Sequence, residues 1–332
     1  MSRQDDGSKP PVSGPPGPDR PATRRWLWVV AGLVGLSLLG AAAVLLFEAQ
    51  ARDRDTPARA GTTLADAADT LAGVRSLTAG PVATGVLSTQ GLLQLPSSLP
   101  AHAKATSLPI LMYHYVDDAP PVLGPDAGGL TVRTRAFELQ MDFLAKNGYH
   151  TVTLEQVYAA MAGLISLPAK PVALTFDDGG LDDYTVAFPI LHSHHFVATF
   201  FVITGFVGQS NTMSWNQLRA MQLNGMAIES HTARHADLTK VTATALRAEL
   251  TQSREAIQTQ LGRVPLVLSY PFGHYDQGVI DATRAAGYLM AVTTHQDRML
   301  APDSAYSWPR VHVGGMESMK GFEVGLGVAS TL

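Results

Sequence analysis

The sequence predicts an α/β fold built on a parallel sheet, most simply a barrel. Three observations point there. From Leu108 onward, short apolar runs alternate regularly with amphipathic stretches, the pattern of strand and helix in turn. The runs are apolar throughout, as in Val172–Phe176, which suits strands buried on both faces. Chemistry-bearing residues follow directly on several runs, where parallel sheets present their functional groups.

Taken in order, Pro109–Val116 reads as a strand, Arg135–Asn147 as a helix closed by Gly148, and His150–Thr153 as a short strand. Glu155–Ala162 is helical, Val172–Phe176 a strand, and Asp182–His194 a helix interrupted at Pro189. Val197–Ile203, Met226–Glu229, Leu266–Tyr270 and Leu289–Thr293 are strands. Between them lie helices at Trp215–Leu223, Thr244–Leu261, with Leu246, Leu250 and Ile257 on one face, and Ile280–Ala286.

The segment ahead of this domain has a different texture. Residues 1–25 are polar and proline-rich, a composition that buries too little to fold. Trp26–Phe47 then runs without a charge, and as a helix of about 33 Å it would cross the roughly 30 Å hydrocarbon core. Arg20, Arg24 and Arg25 before it predict a cytoplasmic amino terminus and the remainder of the chain outside the cytoplasm. Ala49-Gln-Ala51 offers the rival reading of a cleaved signal, which would leave a secreted protein. Residues 48–107 read as a stalk and 108–332 as the folded domain.

Composition narrows the chemistry. The formal net charge of -4 provides no basic field for nucleic acid. The absence of cysteine excludes disulfides, thiolate ligands and a cysteine nucleophile, so any metal must be held by His, Asp or Glu.

Candidate ligands stand at the predicted strand ends. Asp177 and Asp178 repel each other unless a cation or proton is shared, although Asp-Asp-Gly-Gly is also an ordinary turn sequence. His231 and His235 are four apart, so one helical turn would put both imidazoles on one side. Two imidazoles and a carboxylate form a recurrent open metal site. A third strand end carries Tyr270, Pro271, Phe272 and Gly273.

These motifs resemble the polysaccharide deacetylase family of carbohydrate esterases, whose domain is named after the rhizobial chitooligosaccharide deacetylase (NodB). Thr175-Phe-Asp-Asp-Gly179 is similar to its first motif, His231-Thr-x-x-His235 to its second and Tyr270-Pro-Phe-Gly273 to most of its third. The resemblance spans roughly Pro109 to Val313, and Tyr113-His114 looks like the branch that deacetylates poly-N-acetylglucosamine. It implies a distorted (β/α)7-type barrel with one divalent metal, zinc foremost and cobalt, nickel or manganese as alternatives. By the same resemblance Asp178, His231 and His235 are the metal ligands and Asp177 the general base. The Phe272 N–H is then the oxyanion donor, within a substrate loop of Tyr270, Pro271, Phe272 and Gly273.

Two departures stand out. Many relatives carry Arg two residues before the proline of the third motif, paired with the base, whereas this chain has Ser269. No late Leu-x-x-His supplies a general acid, and His114 is the candidate, with His274, His295 and His312 in reserve. Trp215 and Trp308 are expected to pack internally rather than stack on sugars, and His192, His194 and His195 to face solvent.

The expected activity is removal of N-acetyl groups from an N-acetylglucosamine polymer of the cell envelope, peptidoglycan or exopolysaccharide, by a membrane-anchored hydrolase. An O-acetyl esterase acting on xylan or another acetylated sugar, and an inactive carbohydrate-binding wall protein, are the alternatives.

Overall fold

The computed structural model describes residues 95–119, 127–315 and 317–328. The expected tail, membrane span and most of the stalk lie outside the described residues. No helix among the described residues is long and apolar enough to cross a membrane.

Eight parallel strands form the central sheet: β1 (Ile110–Tyr113), β2 (His150–Val152), β3 (Pro171–Phe176), β4 (Thr199–Val202), β5 (Ala227–Ser230), β6 (Val267–Ser269), β7 (Met290–Val292) and β8 (Val311–His312). The order across the sheet is β7-β6-β5-β4-β3-β1-β8, with β2 also paired to β3. One edge of β3 carries β1, and the other carries β2 along its first half and β4 along its second. The sheet curls so that the chain just before β8 reaches back to β7: Val292 bridges Trp308, and Trp308 donates to Ala291 O at 3.0 Å. The barrel is thus drawn together at its seam by a short irregular segment rather than by a full ladder.

The helices are α1 (Thr134–Lys146), α2 (Leu154–Met161), α3 (Phe188–Ser193), α4 (Trp215–Leu223), α5 (Ala243–Leu261), α6 (Gln277–Ala285) and α7 (Met319–Leu326). Their starts are written locally. Thr153 with Gln156 and Ser214 with Gln217 form capping boxes, and Thr242 caps α5, which ends at the left-handed Gly262. The expected break at Pro189 is absent. A π-helical turn, Asp183–Ala187, runs directly into α3, and Pro189 falls in the first turn of α3, where its missing N–H is tolerated.

Alternation along β3 explains the double burial. Val172, Leu174 and Phe176 join an outer core with Phe137, Met141 and Leu191 from the helices. Ala173 faces the barrel interior with Ile110, Phe201, Val292 and Trp308. Phe176 stacks on Tyr113 of β1 at 5.1 Å and on Phe200 of β4 at 4.7 Å, which locks the strand immediately ahead of Asp177.

Residues 95–107, the end of the segment read as stalk, lie against the domain. Tyr158 donates to Pro96 O, and Thr106–Ser107 pairs antiparallel with Met299–Leu300. Behind β5 and β6, Arg263 sits between the buried Glu155 and Glu229, and Glu229 accepts from Leu266 N and Val267 N, both at 2.7 Å. This cluster ties α2, β5 and the start of β6 together below the site.

Candidate active site

The carboxyl ends of β1, β3, β5 and β6, with Arg310 from the segment just ahead of β8, bring the chemistry-bearing side chains to one mouth. Asp177 continues β3 and points inward, only 2% exposed. Burying a carboxylate is costly unless it is paired. Here the partner is Arg310, fully buried, which forks onto it from Nη1 to Oδ1 at 2.8 Å and from Nη2 to Oδ2 at 2.6 Å. Ser269 Oγ donates to Asp177 Oδ2 at 3.2 Å and accepts from Arg310 Nη2 at 3.0 Å. Arg310 also donates from Nε to Thr293 O and from Nη1 to Thr175 Oγ1. Burial alone would push the Asp177 carboxyl up, but the Arg310 guanidinium overrides it and holds the group well below the usual carboxylate range.

Asp178 turns the other way, with its backbone at φ 76. Its Oδ1 lies 3.5 Å from His231 Nε2 and 3.7 Å from His235 Nε2. Tyr115 OH donates to its Oδ2 at 2.7 Å, so one oxygen is held by the protein while the other faces the imidazoles. Burial, and then Asp178 itself, push the Tyr115 phenol well above its ordinary range, keeping it a donor.

The two histidines do not lie on a helical turn as their spacing suggested. The chain from His231 onward is an irregular loop with left-handed backbone at Thr232 and His235. Local bonds hold it: Thr232 N donates to Ser230 Oγ, His235 N to Thr232 Oγ1, and Ala233 N and Arg234 N to Glu249. The imidazoles still converge, with ring centres 4.7 Å apart. His231 Nδ1 donates to Ser269 O at 2.8 Å, which orients the ring so that Nε2 faces Asp178. Burial, with His231 next to it, lowers the His235 imidazole to about 4, so this ring is neutral at physiological pH.

Asp178, His231 and His235 offer three ligand atoms within 4.8 Å of one another, the one such group among the described residues. A carboxylate oxygen and two imidazole nitrogens, each ligand steadied by a second hydrogen bond or a packed loop, fit a divalent cation with an open position. The trio of His192, His194 and His195 is different: His194 Nε2 pairs with Asp142 Oδ1, and no ligand group forms there. Behind Asp178, burial pushes the Asp182 carboxyl up to about 6 and Asp183 well above the carboxylate range, so the acidic cluster is relieved partly by protonation.

The remaining candidates divide. His114 follows β1 and faces Asp177, Asp178 and His231, and its Nδ1 has no partner among the described residues. Burial lowers its imidazole, against the pull of the two carboxylates. Its ring lies 6.3 Å from that of His312. Phe272, left-handed at φ 60 and 55% exposed, sets its ring 4.7 Å from His235 at the rim. Tyr270, expected in the substrate loop, instead turns its side chain into the core beside α5 and α6 and donates to Tyr306 O. Pro271 is buried as well, and Gly273 has no room for a side chain, since a Cβ would fall 2.7 Å from Thr294 N. Trp308 is buried inside the barrel and Trp215 packs on the outer core, as expected.

A sequence profile of the polysaccharide deacetylase family matches residues 165–291. YxkH of Bacillus subtilis, assigned as a polysaccharide deacetylase, is 31% identical over 210 residues, covering 63% of this chain and 72% of that protein.

The chain belongs to the polysaccharide deacetylase family.

The poly-beta-1,6-N-acetyl-D-glucosamine N-deacetylase of Escherichia coli is 25% identical over 64% of this chain, which spans 37% of that longer protein. Among solved structures, the Streptococcus pyogenes deacetylase PplD, in complex with acetate, is similar with a TM-score of 0.61 and 29% identity, over 67% of this chain and 98% of its own. BC0361, a polysaccharide deacetylase from Bacillus cereus, gives a TM-score of 0.60 and 30% identity over 67% of this chain and 69% of its own.

Arg310 lies beyond the span that the family profile matches. Two residues before Pro271 this chain has Ser269, and Arg310, from the segment just ahead of β8, is the guanidinium paired with Asp177. One signal in the sequence pointed to it: a lone charge within the strand-like run Trp308-Pro-Arg-Val-His-Val313.

Two outcomes are expected. Tyr115→Phe should weaken divalent metal binding about 10- to 100-fold, measured by competition with a chromogenic chelator; unchanged affinity would remove the Tyr115 hydroxyl from the metal site. Arg310→Gln should raise the Asp177 pKa, so that the base is lost at a higher pH on acidification and the acidic limb of kcat/KM moves upward. An unmoved limb would show that Asp177 is not the group titrating there.

Proposed function

We propose that this polysaccharide deacetylase is a metal-dependent hydrolase of N-acetyl groups on N-acetylglucosamine polymers of the cell envelope, releasing acetate. The observation that carries the reading is the ionised Asp177, held by Arg310, beside the Asp178–His231–His235 ligand set. A divalent cation held by those three residues, zinc by preference, would supply Lewis acidity to a bound water and to the acetyl carbonyl.

The chain's own groups account for the rest. Asp177 accepts the proton of the attacking water, and Arg310 keeps it ionised and oriented until then. The Phe272 N–H donates to the developing oxyanion at the rim. The nitrogen cannot leave as an amide anion, so His114 delivers a proton to it. Buried and below its ordinary range, the protonated ring is a willing donor. Water and the acetamide are thereby converted to acetate and a free amine.

The N-acetylglucosamine assignment is supported by the Escherichia coli relative, whose name specifies that polymer. The fork of Arg310 onto Asp177, which supplies the partner that Ser269 does not, supports a working hydrolase over an inactive binding protein. No observation favours an O-acetyl esterase on xylan. The apolar stretch Trp26–Phe47 supports a domain anchored at the membrane and facing the envelope, where such a polymer lies.

The decisive assay is acetate release from N-acetylglucosamine oligomers, peptidoglycan and acetylated xylan, with and without chelator. We expect chelator-sensitive release from the first two, abolished in Asp178→Asn. In His114→Ala, kcat should fall about 10²- to 10⁴-fold with metal still bound. Release that survives chelation would overturn the metal assignment, and preference for xylan would establish the esterase.

A further inference from the structure

Arg310 is delivered to Asp177 by a long irregular connection. Between β7 and β8 the chain holds only two regular pieces, the strand Met299–Leu300 and a single 3₁₀ turn, Pro302–Ser304. The ladder of β8 with β1 covers two residues and begins after Arg310, so the hold on this side chain comes from upstream.

That hold runs in steps. Arg310 N donates to His295 O at 2.8 Å, and Thr293 N donates to Trp308 O at 3.0 Å. Trp308 Nε1 donates in turn to Ala301 O at 3.0 Å, next to the strand Met299–Leu300. The partner of that strand is Thr106–Ser107, antiparallel, and Leu108 N extends the pairing by donating to Arg298 O at 2.9 Å.

Residues 95–107 are therefore a strap fastened at both ends rather than a free stalk. Its later end is the ladder just described. At its earlier end Leu95 and Leu99 pack on the interior core that contains Leu300, Tyr158 and Trp308, and the buried Tyr158 donates to Pro96 O at 2.9 Å. Leu300 is thus gripped twice, through its backbone and through its side chain.

We infer that residues 95–107 are a positioning element for the reaction, setting Arg310 against Asp177 through the connection that ends at Trp308. The inference rests on the hydrolase reading above. Burial makes the placement exacting: a guanidinium that drifts from its carboxylate loses the fork and remains desolvated.

The test uses the full metal-loaded chain carrying Thr106→Pro, or Leu95→Ser with Leu99→Ser. The proline disrupts the two-residue ladder, and the serines remove the apolar grip. Each variant should lower kcat about ten- to hundred-fold with KM and metal affinity unchanged. Each loss should vanish in an Arg310→Gln background, because effects that act through one residue do not add. Leu99→Met, which keeps the apolar contact, should retain full kcat. Losses that add to that of Arg310→Gln, or that fall on metal affinity, would overturn the positioning role.

Backbone hydrogen exchange supplies a readout independent of activity. Amides of Trp308–Val313 should exchange faster in both variants while β4 and β5 stay protected. Unchanged exchange there, or equal acceleration through the whole sheet, overturns the inference. An unmodified chain that releases no acetate from any substrate overturns the hydrolase reading instead, and exchange then decides the strap. Tyr158→Phe, which removes only the bond to Pro96, serves if the harsher variants do not fold: it should accelerate the same segment, and no acceleration overturns the inference.

Discussion

The site depends on one buried ion pair. A carboxylate at the position of Asp177 would be neutralised by its surroundings if it stood alone, and a protonated acid there could not take a proton from water. The fork from Arg310 reverses that outcome and fixes the carboxylate in two directions at once. Such pairs are weak contributors to stability, because desolvating both ions offsets most of their attraction. Function is the better reason for this one. It requires β3, β6, β7 and the seam segment before β8 to meet at one point, since Thr175, Ser269 and Thr293 all complete the guanidinium's bonds.

A second constraint acts on the rim. Asp178, Thr232, His235 and Phe272 are four of the seven non-glycine residues with left-handed backbone among the described residues. Each such residue costs on the order of 1–3 kcal/mol, and for a β-branched threonine the conformation is unusual. They persist because the strands beneath are rigid, through the Phe176 stack and the Glu155–Arg263–Glu229 cluster, and because the loops satisfy their own polar groups. The strained positions carry or adjoin Asp178, His235 and Phe272, so strain and candidate site coincide.

The balance of what was legible follows from this. Strand and helix alternation is a matter of apolar periodicity: β3 could be read almost to the residue because burial on both faces leaves a continuous run, and α4 because its buried Leu218 and Met221 fall at helical spacing. Asp177, Asp178, His231 and His235 stood out by type and by position at strand ends. The helical pairing of the histidines failed because spacing alone cannot reveal a loop held by Glu249 and Ser230. Tyr270 was misplaced for a similar reason, since a motif names neighbours in sequence while the tight turn at Pro271–Gly273, left-handed at Phe272, sends Tyr270 to the core and Phe272 to the rim. Arg310 and Tyr115 were missed altogether, because each acts through a contact whose partner is distant in the chain.

Ser269 shows why a departure from a motif need not mean a disabled site. What Asp177 needs in order to stay ionised is a guanidinium at a given place, not an arginine at a given position in the chain. With Arg310 supplied from just ahead of β8, a second arginine at 269 would put an unpaired charge into a space already filled. A serine there is small enough to admit the incoming side chain, and its hydroxyl joins both members of the pair. Its carbonyl, meanwhile, orients His231. Residues 269 and 310 are therefore one structural unit: either is understandable only with the other, and together they link Asp177 to His231.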